Sequence, residues 1–192
     1  MTRIEELQSI VAQYDLNSHP FYQDWRAGKL PMAKLVDYSG EYGLFVSTIA
    51  AGWDTIGEPV YANEEREHEV MWDDFRGALG FETLSLRVQT DTLVTAARNL
   101  FSKKSEAVGA LFAFESQQPY TAQSKLDGLN EHYPLSEEGK RYFVVHASDF
   151  AEVEDLKKYI ANLTDEEFAR TKTACGILSA AMWGALDGIY YV

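Results

Sequence analysis

The chain has 192 residues, of which 46% are hydrophobic and 24% charged, an ordinary globular composition that excludes a disordered or low-complexity protein and suits one domain over residues 1–192. Against 30 Asp and Glu stand 17 Lys and Arg, a net charge of −13 that argues against nucleic acid or an anionic membrane as partner, since both need clustered positive charge. The single cysteine, Cys175, excludes an internal disulfide framework and a thiolate zinc site.

The opening Met1-Thr2-Arg3-Ile4-Glu5-Glu6 is acidic and amphipathic, without the apolar core of a signal peptide. No apolar run approaches the roughly 20 residues of a membrane span, so a cytoplasmic protein is expected. Apolar residues recur at three- and four-residue spacing almost throughout. That pattern predicts an all-α protein with helices near 2–15, 19–27, 31–56, 60–79, 83–103, 105–118, 120–131, 136–161 and 165–190. Asn17-Ser18 before His19-Pro20 reads as an N-cap with proline in the first turn. Gly57-Glu58-Pro59 breaks one helix and starts the next, and Gly80 ends that one. Thr164 and Glu167 have capping-box spacing.

Ionisable residues on otherwise apolar helix faces carry the functional signal, because an unpartnered buried carboxylate is costly. In Tyr61–Phe75, residues Tyr61, Met71, Trp72 and Phe75 form one stripe with His68 at its centre and Glu64 and Glu65 on its flanks. Glu65-x-x-His68 is the spacing with which di-iron bundles aim a carboxylate and an imidazole at one metal, although a surface charge run beside a satisfied histidine gives the same pattern. Glu115 shares a face with Val108, Leu111 and Phe112, which predicts either a buried ion pair or a ligand. Tyr142, Phe150, Val153 and Ile160 define a third stripe that includes His146 and Asp149, with Glu152 at its edge. A His–Asp hydrogen bond or a shared metal explains that pair. If the three stripes face one core, Glu65, His68, Glu115, His146 and Asp149 converge on one or two iron or manganese ions. His19 reads as a helix-start residue and His132 as a loop residue.

Several segments, in order, resemble the heme-oxygenase-like superfamily and its iron-containing redox branch. They are His19-Pro20-Phe21-Tyr22-Gln23-Asp24-Trp25, His68-x-x-Met71-Trp72-x-x-Phe75, Glu115-Ser116-Gln117-Gln118-Pro119 with Lys125-Leu126-Asp127-Gly128-Leu129, Tyr142-Phe143 leading to His146, and Met182-Trp183-x-x-Leu186-Asp187-Gly188. That superfamily includes thiaminase II, the pyrroloquinoline-quinone synthesis protein C and the chlamydial death-domain-associating protein. The resemblance implies an up-and-down bundle of about seven helices, with a non-heme di-iron site and oxidase or oxygenase chemistry on a small organic substrate, amino-acid-like or fatty-acid-like, held in an apolar cavity. It implies Glu65 (or Glu64), His68, Glu115, His146 and Asp149 as ligands, with Glu115 bridging, and O2 and a small molecule as partners. A homodimer stays open.

The branch often ends its site with His-x-x-x-Asp-x-x-His, whereas here the segment reads His146-x-x-Asp149-x-x-Glu152, one residue shorter, with Glu152 in the last ligand place. Either the helix widens there as a π-bulge does, or the site holds one metal. A subgroup related to the chlamydial protein makes p-aminobenzoate from its own tyrosine and lysine. Lys125 is similar to that lysine, and Tyr22 is the candidate tyrosine, against the plain alternative of a surface lysine and a core tyrosine. Two rival expectations remain: a metal-free thiaminase-like enzyme with Cys175 as nucleophile, and a non-catalytic small-molecule-binding or regulatory protein that keeps the bundle.

Overall fold

A computed structural model describes residues 1–82 and 86–192. Its described residues form α1 (Arg3–Val11), α2 (Pro20–Arg26), α3 (Met32–Val46), α4 (Ile49–Ile56), α5 (Pro59–Ala78), α6 (Val88–Phe101), α7 (Lys104–Glu115), α8 (Gln118–His132), α9 (Glu137–His146), α10 (Ala151–Ala161) and α11 (Asp165–Tyr191), with two short 3-10 turns between α1 and α2. No helix among them is long and apolar enough to cross a membrane.

Local chemistry explains most helix ends. The N-cap of α2 is His19 rather than Asn17 or Ser18: its Nδ1 accepts the Phe21 N–H at 3.0 Å while Pro20 takes the first helical position. Gly57, at φ 95°, closes α4 in the left-handed conformation, and Pro59 begins α5. Thr164 and Glu167 form the expected capping box of α11.

Two expected long helices are each divided. The 31–56 helix breaks at Ser47-Thr48, whose hydroxyls donate to the carbonyls of Leu44 and Phe45. The 136–161 helix breaks at residues 147–150. There Asp149 Oδ1 accepts the Ala151 N–H at 3.0 Å and starts α10 afresh. The first part of the expected 83–103 helix lies outside the described residues, and α6 begins at Val88.

The centre of the molecule is α7, buried on every side from Ala107 to Glu115 and laid along α11. Around this pair pack α4, α6 and α10, while α5 and α9 pair with each other and α2 lies on α8. Two glycines set the closest approaches. A Cβ on Gly128 of α8 would press on the Trp25 carbonyl of α2 at 2.9 Å, and one on Gly109 of α7 would run into the Thr171 carbonyl of α11.

In an exposed helix, Gly→Ala favours folding by about 1 kcal/mol. At Gly109 the clash is with backbone, so Gly109→Ala is expected to destabilise by about 2 kcal/mol. A lower urea midpoint for Gly109→Ala checks this, and an unchanged or higher midpoint contradicts the close α7–α11 contact.

Candidate metal centre

The three apolar stripes deliver their polar residues to one place. On α5, Glu65 is fully buried and His68 nearly so, whereas Glu64 is exposed, so Glu65 is the inward carboxylate of that pair. From α7 comes Glu115, from the end of α9 His146, and from the first turn of α10 Glu152, all buried. Glu65, His68 and His146 offer ligand atoms within 4.8 Å of one another, and so do Glu65, Glu115 and Glu152. Glu65 belongs to both groups, whereas Glu115, the expected bridge, belongs to one.

Asp149 joins neither group. It lies in the break between α9 and α10, half-buried, its carboxylate engaged by the backbone of α10. The break also turns Phe150 outward, 43% exposed, although the periodicity put it on the buried stripe. A new helical start stands where a π-bulge was one of two alternatives, and the change of phase carries Glu152 into the cluster.

The donor atoms are poised for a cation. Glu65 Oε2, both Glu115 oxygens and His146 Nε2 are buried without hydrogen-bond partners. Orphaned buried atoms of this kind are rare, and here they gather where a metal would satisfy them. The His146 Nδ1–H donates to the Tyr142 carbonyl at 2.7 Å, which fixes the ring and leaves the Nε2 lone pair free to coordinate. Burial holds the His146 pKa down to about 3, so this imidazole is neutral, as a ligand must be. Its ring centroid is 4.3 Å from that of His68, whose Nδ1 lies 3.2 Å from Glu65 Oε1. Burial, and then the neighbouring charges of Glu152 and Glu65, push Glu115 well above the usual carboxylate range. Burial and the Glu65 charge likewise raise Glu152 to about 9. Three carboxylates and two imidazoles with these properties suit one or two divalent iron or manganese ions.

Beyond the cluster, aromatic rings lead to the two residues singled out for amine chemistry. Tyr142 packs on His146 with centroids 4.2 Å apart, Trp72 on Tyr142 at 4.8 Å, Tyr38 on Trp72 at 5.7 Å and Tyr22 on Tyr38 at 6.0 Å. The Tyr22 and Tyr38 hydroxyls are 2.9 Å apart. Lys125 is no surface lysine: it is 3% exposed, and its Nζ lies 3.3 Å from each of those two phenol oxygens. Burial lowers its pKa to about 7. Sequence reasoning missed Tyr38 and gave no site role to Tyr142 or to Gln118, whose Nε2 donates to the Tyr142 hydroxyl at 2.7 Å. The spacing of Tyr38 and Tyr42 on one face of α3 was the available signal for Tyr38.

Other expected residues take structural places. Both nitrogens of His19 are engaged, Nε2 lying 3.1 Å from Asp187, and His132 ends α8 rather than lying in a loop. The Cys175 thiol is fully buried in α11, and burial pushes it up to about 12, which removes the nucleophile a thiaminase-like mechanism needs. A groove of about 540 Å³ runs between α1, α7 and α10, lined by Val11, Phe112, Ser116, Gln117 and Val153 among others and by none of the ligand candidates.

Residues 49–167 match the family described as iron-containing redox enzyme, a span that includes all five clustered residues. A 4-aminobenzoate synthase from Nitrosomonas europaea is 29% identical, the alignment covering 97% of this chain and 90% of that protein. Among solved structures, a domain with a heme oxygenase-like fold from Shewanella denitrificans superposes with a TM-score of 0.80 at 16% identity, covering 100% of this chain and 93% of that one. A TenA homologue from P. horikoshii OT3 superposes with a TM-score of 0.78 at 15% identity, covering 100% and 99%. These two show the heme oxygenase-like all-α fold.

In metal-free protein Glu152 holds its proton in the fold up to about pH 9, while in the unfolded chain it ionises near 4.5. Over that window the folded state binds more protons, so its stability falls as pH rises. Chelator-treated protein is expected to melt at progressively lower temperature from pH 6 to 9, and Glu152→Gln to flatten that slope. The same slope in both proteins would contradict the placement of Glu152.

Proposed function

The chain belongs to the family of iron-containing redox enzymes, and on that premise we propose that it is an O2-activating non-heme di-iron oxidase whose own Tyr22 and Lys125 are the groups that react, to yield 4-aminobenzoate. The observation that carries this reading is the position of Lys125, a buried amine with its nitrogen 3.3 Å from the Tyr22 and Tyr38 phenol oxygens. In 4-aminobenzoate the nitrogen stands para to the carboxyl carbon, on the ring carbon that bears oxygen in tyrosine. A lysine nitrogen against the phenol oxygen is where that exchange requires it. The name of the Nitrosomonas europaea relative supports the same product.

Glu65, His68 and His146 would hold one ion and Glu65, Glu115 and Glu152 a second. Bound iron supplies O2 activation and oxidising power. The chain's own residues do the rest. With its pKa near 7, Lys125 offers a substantial neutral fraction with a free lone pair at physiological pH, which a solvated lysine does not. Tyr22 and Tyr38, completely buried among Phe21, Trp25 and Trp72, are kept from water, and burial holds both phenols protonated. The Tyr38 hydroxyl, bonded to that of Tyr22, is positioned to take or give a proton there. A second reading is oxidation of an external small organic substrate held in the groove beside α10, whose Phe112 and Val153 lie on the helical turns that carry Glu115 and Glu152.

Anaerobic titration is expected to load about two Fe(II) per chain, as di-iron carboxylate bundles do. Glu65→Ala is expected to lose both ions, and His146→Ala to lose one of them. Protein carrying ring-13C tyrosine and 15N-lysine, loaded and exposed to O2, is expected to release 4-aminobenzoate with both labels, and Lys125→Arg to release none. Mass spectrometry of the small-molecule fraction checks this. An unlabelled product formed only from an added compound would establish the second reading instead.

A further inference from the structure

We propose that Trp53 and Tyr61 form a one-electron relay joining the carboxylate cluster to the protein surface, with Asp155 taking and returning the phenolic proton. The proposal rests on the iron reading above but concerns residues that reading does not use. Trp53, on α4, is fully buried, and its indole N–H has no hydrogen-bond partner. It lies beside Glu115 of α7, the helix on which α4 packs, near it but outside hydrogen-bond geometry. On its other side the ring packs against Tyr61 of α5, with centroids 4.7 Å apart at 45°. Tyr61 is half-buried, and its hydroxyl donates to Asp155 Oδ2 on α10 at 2.8 Å. Asp155 is 36% exposed, and its other oxygen is paired with Lys158 at 2.5 Å.

The order is therefore candidate metal ligand, indole, phenol, solvent-facing carboxylate. Indole and phenol are the two most readily oxidised aromatic side chains, and here they pack in series. The other aromatic path from the cluster, through Tyr142, Trp72 and Tyr38, stays buried along its length, so an electron vacancy there remains inside the protein. The Trp53–Tyr61 path leads out. A phenol that loses an electron becomes a strong acid and must shed its proton, which a buried phenol with no acceptor cannot do. Tyr61 has its acceptor in place.

One electron passes from Tyr61 through Trp53 to the oxidised metal centre, and the phenolic proton moves from Tyr61 Oη to Asp155 Oδ2, leaving a neutral phenoxyl radical. An external one-electron reductant, such as a thiol or ascorbate at the surface, returns the electron, and Asp155 returns the proton. The relay feeds electrons to the centre and drains oxidising equivalents that would otherwise attack the interior.

The test is electron paramagnetic resonance on iron-loaded protein, frozen at intervals after mixing with O2, with bound iron measured in every sample. Wild-type protein is expected to show a tyrosyl radical that ascorbate removes. Tyr61→Phe is expected to bind the same iron and lose that signal, and Asp155→Asn to delay its growth. Trp53→Phe is expected to lose it as well. Iron-loaded, O2-consuming protein whose tyrosyl signal is absent, or is unchanged in Tyr61→Phe, overturns the relay and leaves the iron reading standing. Protein that takes up no iron overturns both.

Discussion

Three carboxylates, Glu65, Glu115 and Glu152, lie together in an apolar interior, and the rest of the structure is built around that burial. Removing even one carboxylate from water without a partner costs several kcal/mol, and their mutual repulsion adds to it. No lysine or arginine neutralises them: among the described residues, the ion pairs that the basic side chains make are to other acids, chiefly at the surface. Lys125 is buried nearby but faces tyrosines. Without a cation such a cluster keeps protons, and a bound cation would displace them. Burial, and then the neighbouring charges, raise Glu115 and Glu152 and keep His146 neutral on its backbone hydrogen bond, and the unpartnered oxygens lie where such a cation would sit.

The architecture supplies rigidity at the points this arrangement needs. α7 brings Glu115 into the centre because it is buried all round and rests backbone to backbone on α11 through Gly109. Gly128 brings α8 down onto α2, which sets Lys125 against Tyr22. The break between α9 and α10 lets His146 and Glu152 face the same point although they are six residues apart, a spacing that one continuous helix would spread by about 120° at 100° per residue.

Much of this was legible in the residues. Period 3.6 gave the all-α class, and it placed Glu65, His68, Glu115 and His146 on inward stripes, where all four lie. It could not choose between Glu64 and Glu65, because both flank the stripe equally; packing of α5 on α4 and α9 decides. Asp149 was misread for a definite reason. Ala147-Ser148-Asp149-Phe150 contains neither glycine nor proline, so periodicity ran straight through a break made by a side-chain hydrogen bond. Asp149-x-x-Glu152 has the spacing of a helix N-terminus, and that was the signal available. The partnership of Lys125 with Tyr38 was invisible because it joins α8 to α3, a contact no local pattern encodes.

The arrangement proposed has Glu65 shared between two metal positions. Diffraction from crystals soaked anaerobically in Fe(II), recorded on both sides of the iron absorption edge, tests it directly. Two anomalous peaks are expected about 4 Å apart, the usual spacing in two-metal sites, with the Glu65 carboxylate between them, His68 and His146 on one and Glu115 and Glu152 on the other. Absence of both peaks, or a single peak out of reach of Glu65, would contradict it.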